Sequence, residues 1–313
     1  MDSTTIQNDD GRICEPAKGV NNDPAIVQDK YQTISNAKDH SVSYHHGDKS
    51  IADNDDNIVL LEISFRNYAL ITIGAPVFAL LTAFVLGFLW DYQEILAYNW
   101  TCGTVDVPSF SRIINLPKER IIWNAAVLFH LPLRFLFILV NYRICRIPSN
   151  EVQNDKLHAL LSRIIVLSGS IEILMISLLT IIGEREEMNE LHHHSHFNWH
   201  VNFFMVFVIS STVYFTVVTV TFRNSKHYIE HFNVSGRWSF NLKFYLTLVY
   251  IALIPVTFTF FFMYWELCYN FAYNFFALSE YVLILVNYGF HASAIYDCHD
   301  RYQITTSKQQ KVA

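Results

Sequence analysis

The sequence predicts an all-α, polytopic membrane protein with six transmembrane helices and both termini in the cytosol. The first indication is composition: 52% of the 313 residues are apolar and only 16% are charged, against about 45–50% and about 25% in soluble domains. The other two are a set of long apolar blocks and an uneven distribution of Lys and Arg between the segments that join them. This composition excludes an ordinary soluble enzyme and a disordered chain. No basic face indicates nucleic-acid binding.

The six apolar blocks account for most of the chain after the first 66 residues. A helix needs about 20 residues to cross a hydrocarbon core about 30 Å thick, and each block is about that long. Lipid offers no hydrogen bonds to the backbone, so the spans must be helices. The blocks cover approximately residues 68–90, 121–142, 161–182, 201–221, 244–264 and 272–294.

The polar ends of the chain predict three regions. Residues 1–66 carry most of the excess acidity, lack hydrophobic periodicity and are expected to form a disordered acidic cytosolic tail. Residues 67–298 form the six-helix transmembrane domain, and residues 299–313 form a cytosolic C-terminal tail.

The orientation follows from the excess of Lys and Arg on the cytosolic side of membrane proteins. One set of connecting segments and the C-terminal tail carry ten of these cations: Arg143, Arg146, Lys156, Arg223, Lys226, Arg237, Lys243, Arg301, Lys308 and Lys311. The opposite set carries four: Arg112, Lys118, Arg120 and Arg185. The first set is therefore predicted to be cytosolic.

Sequons and cysteines on the opposite side provide a test of this orientation. Asn99 begins an N-glycosylation sequon in the first, lumenal loop, whereas the sequon at Asn233 is cytosolic and should remain unmodified. Cys102 and Cys268 both become lumenal, where an oxidising compartment allows a disulfide. Spacing alone does not decide whether that disulfide forms.

Ionisable and amide side chains inside the apolar blocks are the candidate functional residues, because such groups are costly in a bilayer. His130 and Arg134 share one face of the second helix. The others are Glu172 on the third helix and Glu280, Asn287 and His291, which fall on one stripe of the sixth helix. The estimated depths put His130, Arg134, Glu172 and Glu280 in one layer. The alternative is that these groups only hold helices together by hydrogen bonds.

No metal or cofactor site is expected. The histidine-rich segment at residues 191–200 has no HExxH arrangement and is interpreted as a solvated loop. The sequence also has no glycine-rich phosphate loop and no GxSxG motif. The serines on the apolar helices are expected to be packing residues.

Four stretches resemble the post-GPI-attachment-to-proteins factor 2 family of the Frag/DRAM/Sfk superfamily, over residues 68–298. They are Cys102-Gly103 with Pro108-Ser109, then FHLPLRF at 129–135, then Glu172 with HVNFF at 200–204, and finally Cys268, Tyr273 and FALSEYVLILVNYGFHASAIYD at 276–297. Within these stretches the matching polar residues are His130, Arg134, His200, Asn202, Glu280, Asn287, His291 and Asp297. The proline of the second stretch is offset by one place.

The resemblance implies a Golgi or endoplasmic reticulum membrane protein that remodels glycosylphosphatidylinositol (GPI) anchors by reacylating a lyso-GPI lipid. Its implied partners are GPI-anchored proteins, the lyso-GPI lipid and other remodelling proteins. The alternatives are a non-catalytic scaffold that binds or presents these proteins, and a transporter, which the absence of broken half-helices disfavours.

The polar side chains suggest roles in such a reaction. Arg134 would hold the inositol phosphate, and His130 would be the general base on the lipid hydroxyl, oriented by Glu172 or Glu280. His291 is the remaining catalytic candidate. His200 and Asn287 are candidates for headgroup binding.

Overall fold

The computed structural model describes residues 57–97, 100, 102–145, 155–183, 199–231, 235–298 and 301–307. Within these residues six helices are long, and the shorter ones lie in the connecting segments. The long helices are α1 (Phe65–Leu89), α4 (Pro117–Cys145), α5 (Asp155–Ile182), α6 (Trp199–Arg223), α8 (Arg237–Trp265) and α9 (Asn270–Ala292). The shorter helices are α2 (Tyr92–Leu96), α3 (Phe110–Ile113), α7 (Lys226–Glu230) and a 3₁₀ helix, Ser293–Tyr296.

The six long helices are each long and apolar enough to cross a membrane, which confirms the six predicted spans. Each begins at least two residues before its apolar block, because a helix continues into the interface, where composition becomes polar. Large apolar side chains such as Phe78, Leu89 and Ile121 are each 70% exposed. In a soluble protein so many exposed apolar side chains would be a liability, but in a bilayer they face lipid. The side on which each end lies stays a prediction.

The long helices form a closed ring in chain order. Helix α1 packs on α4, α4 on α5, α5 on α6, α6 on α8, α8 on α9, and α9 returns to α1. Gly169 of α5 allows a close approach, because a Cβ atom at this position would lie 2.9 Å from the Ile138 side chain and 3.1 Å from the Tyr214 ring. Small residues are the usual device for close packing of membrane helices.

A two-stranded sheet pairs β1 (Asn57–Ser64) with β2 (Arg301–Ser307). Among the described residues, the sheet lies mainly in one unit and the long helices lie in another. The disorder expected up to residue 66 is therefore wrong for residues 57–66. The reason is that NIVLLEIS supplies aliphatic and β-branched residues that suit a strand, and Ser64 then caps α1 by accepting the Asn67 N–H at 3.3 Å. Residues 1–56 lie outside the described part of the chain.

The first loop is fastened to the ends of the helices. Cys102 and Cys268 form a disulfide. The Asn274 Oδ1 atom accepts the backbone N–H groups of Asp106 and Val107 at 3.1 and 3.0 Å. These links hold the loop against the start of α9.

A salt bridge ties the end of α1 to the start of α4. The Lys118 ammonium donates to both carboxylate oxygens of Asp91 at 2.8 and 2.9 Å. This hydrogen bond lowers the pKa of Asp91.

Lys243, counted above among the loop cations, lies inside α8 and is buried. Its ammonium donates to Asp297 Oδ2 at 2.5 Å and to Ser239 Oγ at 2.8 Å. The sequence count placed it in a loop because a lysine at the end of an apolar block marks the interface, not the end of the helix. Without Lys243, the segments predicted to be cytosolic carry nine Lys and Arg residues and the opposite segments carry four. The predicted orientation therefore does not change.

Candidate functional site

Four of the predicted residues meet in a buried polar cluster of Arg134, Glu172, Asn287 and His291, which come from α4, α5 and α9. All four are 1–4% exposed. The Arg134 Nη2 atom donates to Glu172 Oε1 at 2.6 Å and to Asn287 Oδ1 at 3.4 Å. The Asn287 Nδ2 atom donates to Glu172 Oε1 at 2.9 Å, and His291 Nε2 lies 3.2 Å from the same oxygen and also contacts Arg134.

Other helices hold this cluster in place. The Tyr214 ring of α6 stacks on His291 with ring centroids 5.6 Å apart. Asn141 Nδ2 donates to the Tyr214 hydroxyl at 2.8 Å, and Asn287 Nδ2 donates to Ser211 Oγ at 3.5 Å. The guanidinium and the carboxylate therefore form a buried ion pair, with side chains 5% and 1% exposed.

His130 lies apart from these hydrogen bonds. Its two ring nitrogens have no hydrogen-bond partner among the described residues, and neither does Arg134 Nη1. His130 and Arg134 both line a small cavity of about 10 Å³ with Thr72, Phe137 and Tyr288. The expected orientation of His130 by Glu172 or Glu280 is wrong, because Glu172 is engaged by Arg134, Asn287 and His291 and Glu280 lies elsewhere.

Glu280 belongs to a second group, Ser111, His200 and Glu280, which we call the Ser111 group. Glu280 Oε2 accepts the Phe110 backbone N–H at 2.8 Å, and Glu280 Oε1 accepts the Ser111 hydroxyl at 3.2 Å. His200 Nε2 lies 3.1 Å from Ser111 Oγ. The predicted single layer is therefore divided in two, because Glu280 precedes Asn287 on α9 by seven residues, or about 10 Å of helix rise.

An apolar cavity of about 70 Å³ connects the two groups. Its polar lining includes Ser111, His200 and Glu280 of the Ser111 group and Asn287 of the buried polar cluster. The remaining wall is mostly apolar and aromatic: Phe110, Trp123, Ile176, Leu179, Phe204, Phe207 and Ile284. The chemistry of this lining, apolar walls with a few hydrogen-bonding groups, is that of a site for an aliphatic chain with a polar end.

Ser111 is the residue that sequence reasoning missed. It lies in the first loop two positions after Ser109, in a four-residue helix, and no spacing rule distinguishes it. By contrast, Ser168, Ser177 and Ser210 donate to carbonyls of their own helices, as expected of packing serines. Asn99 and most of the histidine-rich segment lie outside the described residues.

Comparison with known proteins gives a consistent set of relatives. The model of the Frag1/DRAM/Sfk1/Cwh43P N-terminal domain family matches residues 64–300. A Drosophila melanogaster protein named post-GPI attachment to proteins factor 2-like is 24% identical over 77% of this chain and 71% of its own. Post-GPI attachment to proteins factor 2 of the same organism is 25% identical over 78% of this chain and 89% of its own. Acyltransferase PGAP2 of Xenopus tropicalis is 26% identical over 76% of this chain and 89% of its own.

No solved structure is a significant match. The matched residues 64–300 contain all six spans, the buried polar cluster and the Ser111 group. The chain belongs to the Frag1/DRAM/Sfk1/Cwh43P N-terminal domain family.

Proposed function

We propose that this protein acts in the lipid remodelling of GPI anchors and reattaches a fatty chain to a lyso-GPI lipid on GPI-anchored proteins. The names of its relatives support this proposal, since two refer to steps after GPI attachment and one to an acyltransferase. The sequence resemblance to the same group gives the same substrate class.

The observation that carries the proposal is the apolar cavity with polar groups at two heights. An acyl chain needs apolar walls, and its ester needs hydrogen-bonding groups at one end. The cavity provides both, because Ser111, His200 and Glu280 line it beside a wall of aliphatic and aromatic side chains.

The headgroup phosphate is assigned to Arg134 and His130. Arg134 Nη1 and both nitrogens of His130 have no hydrogen-bond partner among the described residues, and both side chains line the small cavity. Arginine is well suited to phosphate oxygens. Glu172, Asn287 and His291 then position the guanidinium. His130 is not proposed as the general base, because no carboxylate among the described residues hydrogen-bonds to its ring.

The proposal is tested by analysing the lipids of GPI anchors in cells that lack this protein. We expect lyso-GPI forms to accumulate and the reattached fatty chain to be lost, with recovery after re-expression of the intact chain. Re-expression of the Arg134→Gln variant at equal protein level should not restore the chain, whereas the Lys226→Gln variant on the surface helix α7 should. Unchanged anchor chains in the deficient cells would contradict the proposal.

A second function is favoured by the mutual pairing within the buried polar cluster. Arg134, Glu172, Asn287 and His291 hydrogen-bond to one another, as expected of polar groups that join membrane helices. The protein would then be a scaffold or lipid-binding cofactor that presents GPI-anchored proteins to a separate enzyme. Purified protein in lipid with lyso-GPI and an acyl donor distinguishes the two: turnover supports the acyltransferase, and binding without turnover supports the scaffold.

The proposed location is the Golgi membrane or the neighbouring endoplasmic reticulum, where GPI-anchored proteins pass after attachment. Other remodelling proteins are its proposed partners. Imaging of the tagged chain against markers of both compartments tests the location.

A further inference from the structure

We propose that Ser111 carries the fatty chain as a covalent ester during acyl transfer, with Glu280 as its general base and His200 as a hydrogen-bond donor to the serine oxygen. This inference rests on the proposed acyltransferase function. It adds a nucleophile and a two-step reaction to that function.

The Ser111 group has the geometry of an activated nucleophile. Ser111 Oγ lies 3.2 Å from Glu280 Oε1 and 3.1 Å from His200 Nε2. Activation requires a base within hydrogen-bond reach of the nucleophile, and Glu280 meets this requirement. Ser111 and His200 are half-buried and line the apolar cavity, whereas Glu280 is only 4% exposed. The hydroxyl is therefore open to a ligand in the cavity, and its base is sheltered from water.

Hydrogen-bond accounting assigns the protons within the group. The Ser111 hydroxyl donates its single proton to Glu280 Oε1, as the base role of the carboxylate requires. The Ser111 oxygen is then the acceptor for His200, whose Nε2 carries the proton in this tautomer. Nδ1 of His200 is left bare, in agreement with its lack of a hydrogen-bond partner.

Contacts with the backbone of the first loop hold the Glu280 carboxylate in place. Its Oε2 accepts the Phe110 backbone N–H, so one oxygen fixes the carboxylate while the other faces Ser111. Tyr281, the next residue, donates from its hydroxyl to the Pro108 carbonyl and holds the same loop. The serine and its base are therefore fixed to each other across the loop and α9.

The reaction proceeds in two balanced steps. In the first, Ser111 Oγ attacks the carbonyl carbon of an acyl ester or acyl thioester and gives its proton to Glu280. The bond from that carbon to the donor's oxygen or sulfur breaks, and the leaving group takes the proton. In the second, the free hydroxyl of lyso-GPI attacks the acyl-serine and gives its proton to Glu280. The bond to Ser111 Oγ breaks, and the serine oxygen recovers the proton while His200 supports it as a leaving group.

Two other serines, Ser109 in the same loop and Ser177 on α5, lack this arrangement. Ser109 is buried and its Oγ accepts the Arg112 N–H at 3.2 Å and the Tyr273 hydroxyl at 2.9 Å. It therefore caps α3 and fixes the loop. Ser177 on α5 donates to the Ile173 carbonyl of its own helix at 2.7 Å, which makes it a matched control.

The test uses the full-length protein in lipid and a long-chain alkyl fluorophosphonate, which forms a stable bond with an activated serine. Mass spectrometry should find the probe on the peptide that contains Ser111. Labelling should be absent in the Ser111→Ala variant and unchanged in Ser177→Ala. In Glu280→Gln, which keeps an oxygen for the Phe110 N–H but removes the base, the labelling rate should fall by about 10²-fold or more, the usual range for a general base.

A second variant distinguishes loss of the nucleophile from loss of the folded structure. Ser111→Cys keeps a nucleophile, so it should be alkylated by a maleimide and should retain some acyl transfer to lyso-GPI when that reaction is assayed directly. Labelling of the intact chain at another residue, or full acyl transfer by Ser111→Ala, would overturn the acyl-serine while leaving the proposed function in place. Failure of the intact chain to acylate lyso-GPI with either donor class would instead overturn the proposed function.

Discussion

Arg134 and Glu172 form a buried ion pair, and the loss of one partner should lower the stability of the protein. Replacing a buried ion pair is tolerated when both charges are removed, but removing one partner leaves a charge without compensation. We expect Glu172→Ala to destabilise the protein by about 3–5 kcal/mol, measured by unfolding in detergent.

The double variant Arg134→Met/Glu172→Met is the control for this prediction. It should recover most of the lost stability and yet fail to support anchor remodelling. Equal destabilisation by the single and double changes would show that lost packing, not the uncompensated charge, is the cause.

A second buried pair, Lys243 with Asp297, gives a contrast with a surface pair. The side chains of Lys243 and Asp297 are each 1% exposed, whereas those of Lys226 and Glu230 are 41% and 54% exposed and 3.8 Å apart. Asp297→Ala should therefore cost about 3–5 kcal/mol. Glu230→Ala should change the free energy of unfolding by less than about 0.5 kcal/mol. Similar losses in the two variants would contradict this ranking.

Sequence could identify the polar residues of the site but not which of them meet. Helical periodicity correctly groups Asn287 and His291 on one stripe of α9, and intramembrane cost correctly singles out Arg134 and Glu172. Which side chains meet depends on how the helices pack in three dimensions, so the sequence predicts the wrong partners for Glu280, which contacts Phe110 and Ser111. Ser111 carries no intramembrane signal because it lies in a loop, and only its contacts with His200 and Glu280 distinguish it.

Among the structural elements, α5 depends on one glycine for its packing. A methyl group at Gly169 would be 2.9 Å from Ile138 and 3.1 Å from Tyr214, and Tyr214 supports His291. Gly169→Ala should destabilise the protein by about 1–3 kcal/mol through overpacking, measured by unfolding in detergent.

Gly74 of α1 is the matched control for this change. A Cβ atom there meets nothing within 4 Å, and alanine is the better helix former by up to about 1 kcal/mol. Gly74→Ala should therefore be neutral or stabilising. An equally stable Gly169→Ala variant would show that α4 and α6 can move apart without cost.

The sequence predicts the long helices because the thickness of the bilayer sets the length of apolar sequence that each must have. The third block, 161–182, ends at the same residue as α5 but starts six residues late, since Asp155 and Lys156 are polar and lie at the interface. The sheet was missed because β1 and β2 are far apart in the chain, and a pairing of this kind has no local pattern.

For the molecule as a whole, the closed ring of helices brings residues that are far apart in the sequence together in the buried polar cluster and the Ser111 group. Helix α9 lies beside both α8 and α1, and its polar stripe reaches Arg134 near one end and Ser111 near the other. The first loop completes the Ser111 group, and the disulfide between Cys102 and Cys268 fixes that loop beside α9. The side of the membrane on which this loop lies decides which leaflet supplies the lipid.

Glycosylation tests that orientation. Asn99 and Asn233, which lie outside the described residues, belong to sequons on opposite sides of the predicted topology. Asn99 is three residues from Cys102, whose disulfide favours an oxidising, lumenal compartment. We therefore expect glycosidase treatment to shift the mobility of the intact chain and of Asn233→Gln, but not of Asn99→Gln. A glycan on Asn233 and none on Asn99 would contradict the predicted topology. The opposite orientation would place the Ser111 group on the cytosolic side of the membrane, away from the lumenal leaflet of the proposed GPI lipid.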